Sequence, residues 1–498
     1  VAVSLGCHVV GGAFPKPSHE DTNTILLGIR TRISRVPPTP GDVFKNFTKF
    51  VDGWIKRNFK PLSPDVSVDF EDWIKRTGYS DGRCKELRDI YEKIDIQAIR
   101  FGKIPFKYRR VKCFVKDEAY ATYKHARGIW SRSDAFKCLF GPFTKAIEDV
   151  LYTHPSFIKH VPVANRGRYI YDKLFRRTAT YIATDYTAFE SHFTSKLMAA
   201  CENRLYKYLF SGHPERKMLC HLLKVLGSKN SCSFKRVNVT VPARRMSGEM
   251  NTSLGNGFTN LMVFLYVQTQ LGNSDFDCVV EGDDLLGTFK GTTPTSSDYA
   301  SMGFNVKIET HQNLNEASFC GLIFDPSNYV VVPDPFKIIM KTGWTSKFYR
   351  NASDKTKMEL LRSKALSCMH QYPGVPIVTE FSKYLLRVTE GHKYKLECNI
   401  GSFMRNQFSS TFVDKPVEHQ TRELMSKMFK FDIPEQLELE SFFRRQVGLK
   451  PLLHPAIDCR ITATQRDYDN RFVVPDVFGA SQVVLRVLRN PLGFCLRN

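Results

Sequence analysis

Three acidic residues and a short row of hydroxyl and amide side chains are the parts of this sequence whose types and spacing could do chemistry. Glu281-Gly282-Asp283-Asp284 interrupts two apolar, β-prone runs, Phe276 to Val280 and Leu285 to Phe289. Glycine supplies the backbone conformation of a tight turn, so the stretch reads as a hairpin with two adjacent carboxylates at its tip. Held that close, the carboxylates repel each other unless a cation lies between them and a partner, and a hard divalent ion serves best. Another candidate is Asp185, which ends the short strand Tyr181–Asp185. If that strand lies beside the hairpin in one sheet, Asp185 and Asp283 meet at one edge, with Asp284 next to them. Such an edge can hold two Mg²⁺ ions, because Mg²⁺ takes few protein ligands when substrate phosphates complete its shell. Ions held there would activate an attacking hydroxyl and stabilise a pyrophosphate leaving group.

The polar row lies in RRMSGEMNTSLGNGFTN, residues 244–260. Ser247-Gly248 gives a flexible loop, and Thr252 and Asn256, four apart, share one face at the start of a helix. Each alone reads as helix capping. Together they can read a sugar. Glu190, five positions past Asp185, can orient Asn256 toward a ribose 2′-OH, the group that separates ribo- from deoxyribonucleotides. Upstream, residues 100–133 form the most basic segment. Lys112, Lys116, Lys124, Arg127 and Arg132 fall there with few acids to neutralise them, which suits a triphosphate or an RNA backbone.

The elements that must position these groups follow from periodicity. Helices are expected over Val43–Phe59, Val68–Lys75, Lys85–Ile99, Thr194–Phe210, Leu254–Gln270, Lys355–Gln371 and Glu418–Phe431. Further strands are expected at Phe304–Ile308 and Ser318–Phe324. Composition sets the scale. The 498 residues, 42% hydrophobic and 24% charged, point to a globular protein of two to four packed subdomains. A formal charge of +22 points to a polyanionic partner, nucleic acid before membrane surface. Thirteen cysteines without framework spacing read as reduced thiols in a cytosolic setting. Cys201, His213, Cys220, His221 and Cys232 cluster in sequence, but no C-x₂-C or H-x₃-H spacing appears, so a zinc module is the weaker reading. The longest apolar run, Leu261–Val267, is far short of a membrane span. The start at Val1 points to a piece of a longer product.

Taken in order, the pieces are a basic arm, D-x₄-E at Asp185 and Glu190, SG-x₃-T-x₃-N from Ser247 to Asn256, GDD at 282–284, a lysine-bearing strand with Lys307, and Phe319-Cys320. This set resembles the palm of a viral RNA-dependent RNA polymerase, and it is most similar to enzymes of positive-strand viruses of the tombusvirus and flavivirus-like kind. The resemblance implies an α+β right-hand fold with an antiparallel palm sheet. Fingers would occupy 1–175, including the basic arm 109–133, with the palm at 176–195, a fingers insertion at 196–235, the palm again at 236–330 and a mostly helical thumb at 331–498.

The function implied is replication and transcription of a viral RNA genome by two-metal nucleotidyl transfer from ribonucleoside triphosphates. Two Mg²⁺ ions are implied, with Mn²⁺ as a substitute. By position in the motifs, Asp185, Asp283 and Asp284 are the catalytic, metal-binding acids. Glu190, Ser247, Thr252 and Asn256 recognise the ribose. Lys112, Lys116, Lys124, Arg127 and Arg132 line the triphosphate route, Lys116 and Arg127 foremost. Lys307 is the general acid for the leaving pyrophosphate, and Phe319 and Cys320 support the primer strand. Implied partners are template and product RNA, ribonucleoside triphosphates and other viral replication proteins. The implied location is the host cytoplasm, at membrane-associated replication complexes reached through a partner or a fused region, since this chain shows no transmembrane segment. Two departures stand out: Glu190 replaces the Asp of many relatives, and Glu281 adds a charge before the turn. A reverse transcriptase would carry an aromatic gate near Glu190 and lack the Ser-Gly, Thr, Asn row. A non-catalytic RNA-binding scaffold would have no use for the acids.

Overall fold

Two apolar strands closed by a glycine turn are the local structure on which the larger part of the molecule is built. The computed structural model describes residues 3–38, 40, 42–162, 165–396 and 412–473. Among them are the strands β1 (Val3–Ser4), β2 (Val111–Val115), β3 (Gly128–Arg132), β4 (Thr180–Tyr186), β5 (Asn230–Ser233), β6 (Asn238–Val241), β7 (Ser274–Glu281), β8 (Asp284–Lys290), β9 (Val306–His311), β10 (Ile323–Phe324), β11 (Val331–Val332) and β12 (Trp344–Thr345). The chain divides into two compact units. One comprises residues 18–116 and 125–320; the other comprises the residues before 18, residues 117–124 and those from 321 onward.

In the larger unit, β7 and β8 form the expected hairpin, and the antiparallel sheet runs β7-β8-β4-β9. Leu285 to Phe289 are all buried, so this central strand is covered on both faces instead of alternating. Against the sheet lies the Thr252–Gln270 helix, buried around most of its circumference. The two interlock at Gly287. A Cβ added there would come within 2.6 Å of the Phe264 ring and 3.2 Å of Ile182.

A second sheet, β3-β2-β5-β6, gathers the basic segment. β2 and β3 pair antiparallel, with Val111 opposite Arg132, and β5 adds in parallel with Cys232 opposite Val111. The basic stretch is therefore two strands of one sheet joined through a long connection, more ordered than the strand and extended arm expected of it.

Three expected elements come out differently. The helix expected over Thr194–Phe210 breaks into Ser195–Ala200 and Glu202–Leu209, because Cys201 leaves helical geometry at φ −121°, ψ −93°. Lys85–Ile99 is likewise two helices, Asp81–Tyr91 and Ile96–Arg100, since Ser80 and Asp95 each cap a new N-terminus. The strand expected at Ser318–Phe324 is reduced to β10. Cys320 and Gly321 take φ of +54° and +74°, which no strand accommodates.

In the smaller unit, helices Asp354–Gln371, Val378–Val388, His419–Phe429 and Ile433–Arg445 enclose a core that includes Leu361, Phe381, Leu439 and Phe443. The first described residues belong here. β1 pairs with β12, and Val9 bridges to Leu452.

Gly287→Ala tests the interlock of helix and sheet. We expect it to destabilise the protein by about 1–3 kcal/mol, the usual range for an overpacked core, measured by chemical denaturation. An unchanged midpoint would show that the Phe264 ring yields without strain.

Candidate active site

The sheet register brings the acids together. Thr184 lies opposite Leu285, so Asp185, the next residue, is carried to the Asp284 end of the hairpin. Glu281 faces Asp284 across a two-residue loop whose first member, Gly282, has φ +63°, a conformation that favours glycine. Crowding by protein atoms pushes the Asp284 carboxyl up to about 6, helped by the charges of Asp283, Asp185 and Glu281. Asp283 is also raised, by the same crowding and by Glu190, while Arg127 and Arg32 act against the shift. Both side chains remain accessible to solvent. Among the described residues no three His, Cys, Asp or Glu side chains gather as a metal site made of protein alone. What is present is a set of hard oxygen donors of the kind a divalent cation takes. They come from Asp185, Asp283 and Asp284, and the charges of the first two act on the third.

The turn is held from outside. Val280 donates its N–H to the Ser156 carbonyl at 2.8 Å, and Glu281 pairs with Arg166 at 3.1 Å. Glu281, unexplained by its sequence position, is thus one half of an ion pair. Asn260 of the underlying helix donates to the carbonyls of Asp283 and Gly282.

The sugar-reading row is arranged differently from expectation. Glu190 does not face Asn256 directly. Its carboxylate takes two hydrogen bonds from Arg32, at 2.7 and 3.2 Å. Asn256 instead accepts through Oδ1 from Nε of the fully buried Arg245, at 3.1 Å. Arg245 also pairs with the buried Glu202, stacks on Phe193 at 4.4 Å, and donates its backbone N–H to the Glu190 carbonyl. Glu202 reaches Arg245 because the helix breaks at Cys201 just before it. Ser247 bonds the backbone of Trp130 and Gly128, and Thr252 donates to the Met246 carbonyl, so both hydroxyls hold the loop in place. Gly248 lies against β3, where an added Cβ would sit 3.0 Å from the Trp130 carbonyl oxygen.

Of the five basic residues, the structure separates one sharply. Arg132 is buried and bound to Glu249, Asn230 and the Arg109 carbonyl, so most of its donors are engaged inside the protein. Arg127 does act on Asp283. Lys112 is exposed on β2, and the Lys116 N–H pairs with the Arg127 carbonyl. Lys124 belongs to the smaller unit, its ammonium 5.5 Å from the Tyr120 ring. Arg32, Arg166, Arg245 and Asn260 were not picked out from the sequence.

Lys307 stands opposite Asp185 in the β4–β9 ladder. Its exposed ammonium pairs with Glu309 at 2.5 Å; that hydrogen bond and charge, and more weakly Asp185, make it hold its proton more tightly. Phe319 is buried. The neighbouring Cys320 is exposed, and crowding by protein atoms and then the charges of Asp284 and Glu281 raise its thiol. Of the five clustered Cys and His residues, Cys201 stands between the helices Ser195–Ala200 and Glu202–Leu209, His213 bonds the Val66 carbonyl, Cys220 and His221 belong to the Arg216–Leu226 helix, and Cys232 lies in β5.

Residues 32–449 match the family model described as viral RNA dependent RNA polymerase. Similar proteins include the RNA-directed RNA polymerase of Carnation mottle virus, 24% identical over 71% of this chain and 47% of that protein. The RNA-directed RNA polymerase of Panicum mosaic virus is 25% identical over 80% of this chain and 41% of its own length. That of Oat chlorotic stunt virus is 28% identical over 47% of this chain and 34% of its own. The chain spans less than half the length of these relatives.

Arg245→Met leaves the Glu202 carboxylate buried without its cation. We expect a loss of about 3–5 kcal/mol in denaturation experiments, with much of it recovered in the double variant Glu202→Leu/Arg245→Met. A small loss in the single variant would mean that water reaches Glu202.

Proposed function

The chain belongs to the viral RNA-dependent RNA polymerase family, and from that premise we propose that it builds RNA on an RNA template, replicating and transcribing a viral genome. One observation carries the reading above all. The strand register sets Asp185 beside the turn that bears Asp283 and Asp284. In this reading Asp185 and Asp283 are the principal metal ligands and Asp284 an auxiliary one. When bound there, two Mg²⁺ ions, or Mn²⁺ in their place, would supply Lewis-acid activation of a 3′-hydroxyl and charge neutralisation for pyrophosphate.

The chain's own residues do the rest. Arg127 and Arg32, whose charges act on Asp283, draw the triphosphate in this reading, with Lys112 and Lys116 along its approach. Asn256 reads the sugar in a defined sense. Arginine has only donors, so Arg245 takes up the Asn256 oxygen and leaves the amide NH₂ for the ribose 2′-oxygen. Glu190 acts through Arg32, while Ser247 and Thr252 fix the loop from which the helix starts. Lys307 is the proton donor to pyrophosphate, with Glu309 holding one side of its ammonium. Phe319 and Cys320 back the primer strand.

The sheet β7-β8-β4-β9 corresponds to the palm of a right-hand polymerase, with fingers and thumb at the boundaries expected above. Template and product are held through backbone charge and shape, consistent with the excess of basic residues. The proposed setting is the host cytoplasm, at membrane-associated replication complexes with other viral replication proteins. No helix among the described residues is long and apolar enough to cross a membrane, so attachment in this reading comes from a partner or a fused region.

The deciding experiment is incorporation of labelled UTP on poly(A), with and without a short primer, in Mg²⁺. Wild type should make product, and Asp283→Ala should lose roughly a hundredfold or more of it while RNA affinity stays nearly unchanged. Normal extension by the variant would remove Asp283 from the metal site. Asn256→Ala should lower the preference for ribo- over deoxynucleotides by about tenfold, the worth of one hydrogen bond. An unaltered ratio would end its sugar-reading role.

A further inference from the structure

Asn260 lies one helical turn past Asn256 and is fully buried. Its amide nitrogen donates to the Asp283 carbonyl at 2.9 Å and the Gly282 carbonyl at 3.4 Å. Its amide oxygen accepts from the Tyr186 hydroxyl at 3.1 Å. Tyr186 directly follows Asp185 on β4, and its ring is fixed among Phe189, Tyr299 and Phe304. The amide orientation is settled by chemistry, because carbonyl oxygens only accept and the NH₂ must therefore face the turn. One side chain thus touches the turn that carries Asp283 and the residue beside Asp185.

We propose that Asn260 is a positioning residue that fixes the spacing of the two acid-bearing segments, and so sets how tightly the site takes divalent ions. The inference rests on the polymerase reading for its function but on the clasp itself for its geometry. Asp185 and Asp283 carry like charge, and they are far apart along the chain. The ladder between their strands stops at Thr184–Leu285, one residue short of Asp185. Beyond that point Asn260 and Tyr186 join the strand end to the turn. A neutral amide does this without adding charge beside the acids, and burial keeps water from competing for its bonds. The same helix comes close to the turn at Gly257, where an added Cβ would lie 3.5 Å from the Gly282 nitrogen. Helix and turn therefore hold a set separation, and the amide spans it.

The test compares wild type with Asn260→Leu, which keeps the volume and removes the polar atoms, and with Tyr186→Phe, which keeps the donor to the turn and removes only the phenol. Melting and RNA affinity establish that each variant is folded. In Asn260→Leu the Mg²⁺ concentration for half-maximal synthesis should rise about tenfold or more, as it does when outer partners of metal ligands are lost. Mn²⁺ binding followed by electron paramagnetic resonance should weaken in parallel, and amide exchange across residues 280–285 should quicken. Tyr186→Phe should show a smaller shift in the same direction. A folded Asn260→Leu with wild-type Mg²⁺ requirement and wild-type Mn²⁺ affinity overturns the proposal. Should Asn260→Leu fail to fold, Tyr186→Phe decides: a shifted Mn²⁺ affinity supports the clasp and an unshifted one overturns it. If wild type makes no RNA at all, the polymerase reading fails, while Mn²⁺ affinity and amide exchange in the two variants still decide the clasp.

Discussion

Repulsion among carboxylates at one strand edge sets the terms for everything around them. Two such charges about 4 Å apart near a protein surface oppose each other by about 4 kcal/mol. The fold answers by distributing its arginines selectively. Glu190, Glu202, Glu249 and Glu281 each face one, Arg32, Arg245, Arg132 and Arg166 respectively. Among the described residues Asp185, Asp283 and Asp284 stand in no ion pair. The acids that build the framework are neutralised, and those at the edge are left with charge to offer a cation. Their spacing is then held by groups without net charge: a glycine turn, the Ser156 carbonyl, and an amide from the helix below.

That helix depends on the loop that starts it. Met246 to Met250 is pinned at both ends by buried pairs, Arg245 with Glu202 on one side and Glu249 with Arg132 on the other. Burying an ion pair contributes little net stability, but removing one partner is costly, so such pairs penalise every alternative loop path. Between them Ser247 and Gly248 bond the edge of β3. The charges that fix this row do not themselves face a substrate. They set the direction of the Asn256 amide from behind.

The hairpin, the strand ending at Asp185 and the apolar helix were legible because period, glycine and a terminal acid are local signals. Pairing across the chain was not. Arg32 reaches Glu190 from the N-terminal third, and nothing in its own neighbourhood marks it. Arg127 and Arg132 look alike in sequence, yet the carboxylate of Glu249 draws one into the interior and leaves the other near Asp283. The helix break at Cys201 also escaped periodicity, since the tertiary demand for Glu202 at Arg245 overrides a good helical pattern. Asn260 did leave a trace, an amide side chain immediately before the apolar run Leu261–Val267.

Pairing of β1 with β12, and of Val9 with Leu452, also bears on how the chain matures. During synthesis the apolar residues Leu5, Cys7, Val9 and Val10 emerge early, and their partners emerge only after the whole of the larger unit. The acid-bearing unit has all its residues by position 320, whereas the smaller one closes only when its last helices arrive. Contacts of such long range form slowly, and the unpaired strand remains open to wrong partners in the interval. Maturation is thus ordered in time: the unit that bears the acids can fold first, and the unit that gathers both early and late segments must wait.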